Sequence, residues 1–333
     1  MSLFPWQQAS WQKLFLQPEK MPHALLLEGP QGQGKLHFAQ SLAQSLLCLS
    51  PNDDHTACQS CQSCLWFNSQ NHPDYIFIGL TEDTDQSDQA QKRPSTQILI
   101  EHIRALDDIV YQTTYLGKPR VILIDQVDRL HLNAANAFLK KLEEPSSHTR
   151  YILVTAHKHR LLPTILSRCQ LFSAGIASKE MAIDWLISQS VTEAEKWFDR
   201  SQSPLGAKCL ADLGIDLSDT LIHLFSQYRK EGALFLAEQI EKNEITKKSI
   251  DSMDQLILSL QKINYDLILL SKSLKAHYHP DKTAMLQSLL AGCQVNSLMR
   301  YEQQLIDYRK QTSHPLNPKL FIEAVLLDCP FVC

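Results

Sequence analysis

Four short apolar segments, separated by polar stretches, organise the first half of the chain. They are ALLLEG (24–29), DYIFIG (74–79), VILIDQ (121–126) and YILVTA (151–156). Continuous apolar runs of this length are typical of strands that are buried on both faces, as in a parallel sheet covered by helices. The pattern therefore predicts four buried strands.

Segments with helical periodicity lie between these strands. They cover residues 35–47, about 100–111, and the run AANAFLKKLEE, which Asn133 is expected to cap and Pro145 to end. Residues 81–95 are almost entirely polar, which predicts a surface loop. The alternation of strands and helices indicates a doubly wound α/β domain over roughly the first 170 residues.

The second half of the chain has a different pattern, because the strand signals end after about residue 173. Residues 178–213 have the pattern of a small helical domain. From residue 215 the chain carries long helical stripes such as DSMDQLILSLQKINYDLILLSKSLKAHY, with apolar residues at i, i+3, i+4 and i+7. Such stripes serve either internal packing or contact with partner subunits. We predict domains at 1–172, 173–213 and 214–333.

Composition narrows the possible classes of protein. The 333 residues are 44% hydrophobic and 20% charged, with a formal net charge of −4. This excludes a basic protein that coats nucleic acid, because such binding depends on phosphate neutralisation by many cations. No apolar run approaches the roughly 18 residues of a membrane span, and the start of the chain lacks the basic region of a signal peptide. We expect a cytoplasmic protein without a membrane partner.

The segment from Gly29 to Leu36 nearly fits the phosphate-binding pattern G-x-x-x-x-G-K-[ST]. Gly29, Gly32 and Gly34 would let backbone N–H groups surround phosphate oxygens, at the positive end of the following helix. Lys35 would reach the terminal phosphates. The pattern predicts a P-loop, with binding of ATP or ADP left open.

Two positions depart from a hydrolysing site. Leu36 stands where a hydroxyl group normally binds Mg²⁺. Asp125 ends the third predicted strand, where P-loop ATPases place a carboxylate near the metal, but Gln126 follows it. An amide cannot act as a general base towards water. We therefore expect a degenerate nucleotide site.

The chain contains nine cysteines, and four of them are close in sequence: Cys48, Cys58, Cys61 and Cys64. The spacing C-x₉-C-x₂-C-x₂-C predicts a closed, structural Zn²⁺ site with four thiolate ligands. His55 or His72 could replace Cys48 as the fourth ligand. An iron–sulfur site is disfavoured, because Asn68 stands where bacterial ferredoxins have the fourth cysteine of their motif.

Two segments carry a family resemblance. LNAANAFLKKLEEP (132–145) and YILVTAHKHRLLPTILSRC (151–169) resemble the corresponding segments of bacterial clamp-loader subunits, which are AAA+ proteins. The resemblance is strong over about residues 20–175. It implies an AAA+ P-loop domain with a zinc module at about 48–64, a small helical lid and a C-terminal helical collar.

The resemblance also implies roles for individual residues. Thr155 matches the sensor 1 position, and Ser167 and Arg168 begin the family's Ser-Arg-Cys motif. In the family this arginine contacts the γ-phosphate of ATP bound by the next subunit, as an arginine finger. Where active subunits have threonine, glutamate and a sensor 2 arginine, this chain has, respectively, Leu36, Gln126 and Gly206.

With these three departures, the chain resembles the delta-prime branch of the family more than the hydrolysing gamma/tau branch. The implied function is a part in ATP-driven loading of the sliding clamp by DNA polymerase III. The implied partners are gamma/tau and delta subunits in a hetero-pentameric ring, and through that ring the clamp and primer-template DNA.

Two alternatives remain at this point. The first is a self-sufficient gamma/tau-like ATPase, in which another carboxylate such as Glu143 or Glu144 replaces the missing glutamate. The second is a zinc-dependent DNA-binding module. The neighbours of the cysteines disfavour it, because they are uncharged: Gln59, Ser60, Gln62 and Ser63.

Overall fold

The computed structural model describes residues 3–17, 21–80, 97–110, 112–214, 216–242, 253–312 and 317–332. The predicted polar loop at 81–95 lies outside the described residues. The described chain forms two compact units, Met1–Trp185 and Leu186–Cys333. The division into three domains at about 172 and 213 stays a prediction. None of the described helices has the length and apolar character needed to cross a bilayer.

The first unit alternates strands and helices. In chain order its elements are α1 (Gln8–Leu14), β1 (Ala24–Glu28), α2 (Lys35–Leu47), α3 (Gln62–Asn68), β2 (Tyr75–Ile78), α4 (Ile100–Arg104), α5 (Asp107–Val110), β3 (Arg120–Ile124), α6 (Leu132–Glu143), β4 (Thr149–Thr155), α7 (Pro163–Leu166), β5 (Gln170–Ser173) and α8 (Lys179–Ser188), which runs into the second unit.

The strands form one parallel sheet in the order β2-β3-β4-β1-β5. The predicted parallel α/β domain is thereby confirmed, with a strand at each of the four predicted segments. β1, β3 and β4 are buried, whereas β2 lies at the edge of the sheet and exposes Phe77. Because β4 lies between β1 and β3, the segments that follow these three strands meet at one edge of the sheet. This edge holds the predicted nucleotide-binding residues.

Side-chain alternation along the strands builds a core on each face of the sheet. Leu26 and Ile122 face one core, which Phe138 of α6 fills. Leu25 and Leu123 face the other core, which α1 and α2 cover. Strands buried on both faces need apolar residues at every position, and this explains the continuous runs in the sequence.

Three local predictions are corrected. Helix α6 is capped by His131, whose ring accepts a hydrogen bond from the Asn133 N–H, so Asn133 is inside the helix. The helix expected at 100–111 is broken into α4 and α5 by a turn at Ala105 and Leu106. A fifth strand, β5, was not predicted.

The second unit is helical in its described residues. Its elements are α9 (Ala194–Ser201), α10 (Pro204–Leu213), α11 (Leu217–Tyr228), α12 (Ala233–Lys242), α13 (Met253–Ser271), α14 (Thr283–Leu290), α15 (Val295–Gln311) and α16 (Pro318–Leu327). One apolar core joins α11 to α16, with Phe225, Leu260 and Tyr301 fully or almost fully buried. The stripes in this part of the sequence therefore serve internal packing.

Candidate functional site

The loop between β1 and α2 has the backbone of a phosphate-binding turn. Gly32 and Gly34 have φ angles of 75° and 79°, and Gly34 caps α2 in the left-handed conformation. Lys35 is the first residue of α2. Its Nζ atom lies 2.7 Å from the Pro30 carbonyl oxygen, to which it donates a hydrogen bond across the loop.

Lys35 and Asp125 form the electrostatic centre of this edge. Lys35 is 8% exposed, and burial lowers its pKa while the charges of Asp125 and Asp128 oppose that change. Burial likewise raises the pKa of Asp125, although hydrogen bonds from Gln126 and the charge of Lys35 act against it. In P-loop NTPases a lysine at this position contacts the phosphates, and a carboxylate at the end of a strand helps to hold Mg²⁺.

Thr155, at the end of β4, is buried beside Asp128. Its Oγ1 donates to Asp128 at 2.6 Å and accepts a hydrogen bond from the His157 N–H at 2.9 Å. Asp128 was missed in the sequence-based prediction, although it stands in the same VILIDQVD run as Asp125. Thr155 and Asp128 thus hold the ends of β3 and β4 together beside the loop.

The two residues that depart from a hydrolysing site, Leu36 and Gln126, have different surroundings. Leu36 packs against the apolar core beneath α2, so it contributes burial where a hydroxyl would contribute a metal ligand. Gln126 is exposed and adopts a left-handed backbone with φ of 51°. Asp125 is therefore followed by an amide that can donate hydrogen bonds but cannot take a proton from water.

The start of the chain is bonded to the loop. The indole Nε1 of Trp6 donates to the Gln33 carbonyl at 2.9 Å, and Nε2 of the buried Gln7 donates to the Gly34 carbonyl at 2.8 Å. The Phe4 ring lies over Gly34, where a Cβ atom would be only 2.6 Å from the ring. Glycine at this position thus serves a close approach as well as a left-handed turn.

Phe4 also belongs to an aromatic cluster at the start of α2. Its ring centroid lies 4.9 Å from that of Trp6, 4.6 Å from that of His37 and 5.4 Å from that of Trp185. These rings are in direct contact with one another. The segment formed by residues 4–7 therefore closes one side of the loop.

Arg168 lies just after α7, on the surface of the first unit. Its side chain is 33% exposed, and Nη2 forms an ion pair with Oε1 of Glu143 at 2.7 Å. Nη1 donates to the Thr164 carbonyl at 2.9 Å and to the Ser167 hydroxyl at 3.3 Å. The guanidinium is thus partly accessible to solvent and held by contacts within the first unit.

The four cysteines come together at the end of α2. Cys48 follows α2, and Cys61 caps α3 by accepting a hydrogen bond from the Cys64 N–H. Their Sγ atoms all lie within 4.8 Å of one another, with separations of 3.5 Å for Cys48–Cys58, 3.8 Å for Cys48–Cys61 and 3.9 Å for Cys58–Cys64. Tetrahedral ligation with Zn–S bonds of about 2.3 Å requires sulfur atoms about 3.8 Å apart. The cluster could therefore hold such a metal ion.

Hydrogen bonds to sulfur favour the thiolate form that a metal needs. The Cys58 N–H donates to Cys48 Sγ at 3.4 Å, and the Cys61 N–H donates to Cys58 Sγ at 3.3 Å. A hydrogen bond from the Ser50 hydroxyl, together with backbone donors, lowers the pKa of Cys58 to about 5. Burial raises the pKa of Cys48 and Cys64. Bound cation charge would have to offset that burial.

The two histidines considered as ligands have other partners. His72 Nε2 lies 2.9 Å from the Ser63 hydroxyl. His55 stacks on Phe15 with ring centroids 4.7 Å apart. Together with a hydrogen bond from Trp11 Nε1 to the Asp54 carbonyl at 2.9 Å, this stacking attaches the cysteine module to α1. Cys48 is thus the residue that completes the group of four.

Gly206, assigned by resemblance to the sensor 2 position, lies in α10 of the second unit. A Cβ atom there would lie 2.6 Å from Ser203 Oγ, so a larger residue would require that side chain to move. Its correspondence to the family's arginine stays a prediction.

Comparison with known proteins gives consistent matches. A sequence model of the family described as "DNA polymerase III, delta subunit" matches residues 7–175. The chain is 36% identical over 184 residues to DNA polymerase III subunit delta' of Pseudomonas aeruginosa, covering 55% of this chain and 52% of that protein. It is 34% identical over 177 residues to subunit delta' of Bacillus subtilis, covering 53% and 49%.

The chain thus spans about half the length of these curated relatives. Among solved structures, a gamma subunit-related protein of DNA polymerase III from Thermotoga maritima aligns over 96% of this chain and 98% of that chain. The sequence identity is 17% and the TM-score is 0.41.

Proposed function

Because this chain belongs to the DNA polymerase III delta-subunit family, we propose that it is a clamp-loader subunit that takes part in loading the sliding clamp onto primed DNA. Its curated relatives are named delta'. The proposed partners are gamma/tau and delta subunits in a hetero-pentameric ring, and through them the sliding clamp and primer-template DNA.

The chain itself does not hydrolyse ATP in this proposal. The observation that carries it is the pair of substitutions around an otherwise preserved site. Lys35 and Asp125 retain the charges of a phosphate site, but Leu36 supplies no metal ligand and Gln126 supplies no base. Loss of a general base costs about 10²–10⁴ in rate, and the missing metal ligand adds to this loss.

Arg168 acts on a neighbouring subunit in this proposal, with Ser167 beside it. The support is its exposed position and its motif, since a guanidinium that serves its own chain would lie at the sheet edge with Lys35. An arginine finger stabilises charge on the transferred phosphoryl group and is worth about 10³–10⁵ in rate. The hydrolysing gamma/tau subunits would supply the ATP.

The cysteine module holds a structural Zn²⁺ ion in this proposal. Its four sulfur atoms leave no position for water or substrate around a tetrahedral ion. Zinc would join the end of α2 to α3 and would take no part in phosphoryl transfer.

The proposal is tested by reconstituting the loader with Arg168→Ala and, as a matched control, with Arg160→Ala, another exposed arginine of the first unit. We expect normal assembly of both variants and loss of ATP hydrolysis and clamp loading with Arg168→Ala alone. Unchanged turnover with Arg168→Ala would refute the proposed role. Brisk hydrolysis by the purified chain would instead support the gamma/tau-like alternative.

A further inference from the structure

The Arg168 side chain is held by three acceptors that belong to its own unit. Nη1 donates to the Thr164 carbonyl and the Ser167 hydroxyl, both within the same short segment. Nη2 reaches across to Glu143 of α6, and this is the contact that joins the segment to a second element. A guanidinium has five N–H donors; the two hydrogen bonds come from Nη1, and the contact of Nη2 with Glu143 is an ion pair.

Glu143 occupies a position that is unfavourable for a carboxylate. It is the last residue of α6, where the partial negative charge of the helix end disfavours an acidic side chain. Lys140 and Lys141 are the residues that suit this helix end. The Arg168 guanidinium compensates the unfavourable position of Glu143, because it brings a full positive charge within 2.7 Å.

The neighbouring Glu144 provides an internal comparison. It follows Glu143 as the C-cap residue of α6, carries the same charge and is exposed. Within the described part of the chain it takes part in no ion pair. Glu143 and Glu144 therefore share the partial negative charge of the same helix end but differ in their contact with Arg168.

We propose that Glu143 is a positioning residue for Arg168. This inference rests on the proposed arginine finger: the ion pair with Glu143 restricts the guanidinium to one orientation at the surface of the first unit. A long arginine side chain loses much rotamer freedom when it docks on a phosphate. A carboxylate that already orders the guanidinium lowers that loss, because the side chain is preorganised before the neighbour arrives.

The solvent exposure of the Arg168–Glu143 ion pair limits its expected effect on turnover. The two side chains are 33% and 48% exposed, and an ion pair this accessible to water shifts an equilibrium by no more than about fivefold. We therefore expect Glu143→Gln to lower the turnover number of the assembled loader by about two- to fivefold. The effect should shrink at high ionic strength, where exposed charges are screened.

The test is a double-mutant cycle in the reconstituted loader, with turnover number and KM for ATP measured for each form. The variants are Glu143→Gln, Arg168→Ala and the two together, with Glu144→Gln as the matched control. We expect a lower turnover number with unchanged KM for Glu143→Gln, no change for Glu144→Gln, and no further loss when Glu143→Gln is added to Arg168→Ala.

The other possible outcomes distinguish failure of the positioning role from failure of the proposed function. Unchanged or raised turnover with Glu143→Gln, alongside a loss with Arg168→Ala, overturns the positioning role and leaves the proposed function intact. An equal loss in the Arg168→Ala background shows that Glu143 acts through stability of α6 and also overturns it. No effect of Arg168→Ala overturns the proposed function and the positioning role together.

Discussion

Replacement of Arg200 by alanine should destabilise the second unit more than any other single arginine change discussed here. Arg200 lies in α9 and is fully buried. Its Nε donates to Asp216 at 2.6 Å, and its Nη2 donates to Asp219 at 2.7 Å and to Asp281 at 2.8 Å. A further hydrogen bond goes to the Tyr278 carbonyl.

The expected loss of stability follows from the partners that Arg200→Ala would leave without their cation. Alanine at 200 would leave the carboxylate of Asp216, which is 9% exposed, without its cation. Breaking a buried ion pair by removing one partner costs about 3–5 kcal/mol. Arg229, in the same unit, donates to the carbonyls of Ser288 and Ala291 at exposed positions. For Arg229→Ala we expect about 1 kcal/mol or less.

The contribution of Arg200 should depend on pH in a defined direction. Burial alone would raise the pKa of Asp216, but hydrogen bonds from Ser218 and the charge of Arg200 outweigh it and lower that pKa. A carboxylate with a lowered pKa stabilises the fold above its unfolded value of about 3.9 and loses this effect as pH falls through the folded value. The difference between wild type and Arg200→Ala should therefore shrink in acid.

Hydrogen exchange followed by mass spectrometry measures this prediction in the whole chain, because it reports each unit separately. At neutral pH, Arg200→Ala should reduce protection in α11 and α14, while β3 and β4 of the first unit keep theirs. A loss below about 1 kcal/mol, or the same loss at neutral and acidic pH, would refute the reasoning.

Three further predictions concern the first unit. Chelation should release one zinc ion per chain and reduce exchange protection around Cys61 while β3 stays protected; zinc-free protein with an ordered module would contradict the site. Phe4→Ala should strengthen binding of a fluorescent ATP analogue by about 5–30-fold, since about 1–2 kcal/mol of ring contacts would no longer hold the segment closed. That binding should vanish with added Lys35→Ala, and unchanged affinity would argue against closure by residues 4–7. Gln126→Glu alone should leave the purified chain inactive, because Leu36 still supplies no metal ligand; substantial hydrolysis by this variant would contradict that reason.

Features of the fold that short sequence segments encode could be predicted from the sequence. The strands β1 and β4 are buried on both faces, so their apolar runs were visible in the sequence. The loop at Gly34 needs a left-handed residue and a close approach, and glycine is the residue that permits both. Cys58, Cys61 and Cys64 are close in sequence, so their grouping required little long-range information.

Features that depend on contacts between distant segments were not predictable. β5 is an edge strand whose residues are mostly exposed, so it lacks an apolar run. The hydrogen bonds from Trp6 and Gln7 to the loop join residues that are 27 positions apart, and nothing in the local sequence indicates them. The pairing of Arg168 with Glu143 likewise depends on how α6 and α7 pack.

The error at α6 concerns where the helix begins. Asparagine is a preferred capping residue, so Asn133 was a reasonable expectation. The structure begins the helix two residues earlier, at Leu132, and His131 accepts the capping hydrogen bond in place of Asn133. Helix ends commonly differ by such a margin between pattern and structure.

The central claim is that Arg168 of this chain acts at the nucleotide site of a neighbouring subunit, while the chain's own nucleotide site contributes no hydrolysis. The most direct test compares steady-state ATP turnover of the reconstituted loader carrying Lys35→Ala with that of the loader carrying Arg168→Ala. The claim predicts turnover near wild type for Lys35→Ala and a large loss for Arg168→Ala. The reverse pattern, with turnover lost on changing Lys35 and retained on changing Arg168, would contradict it.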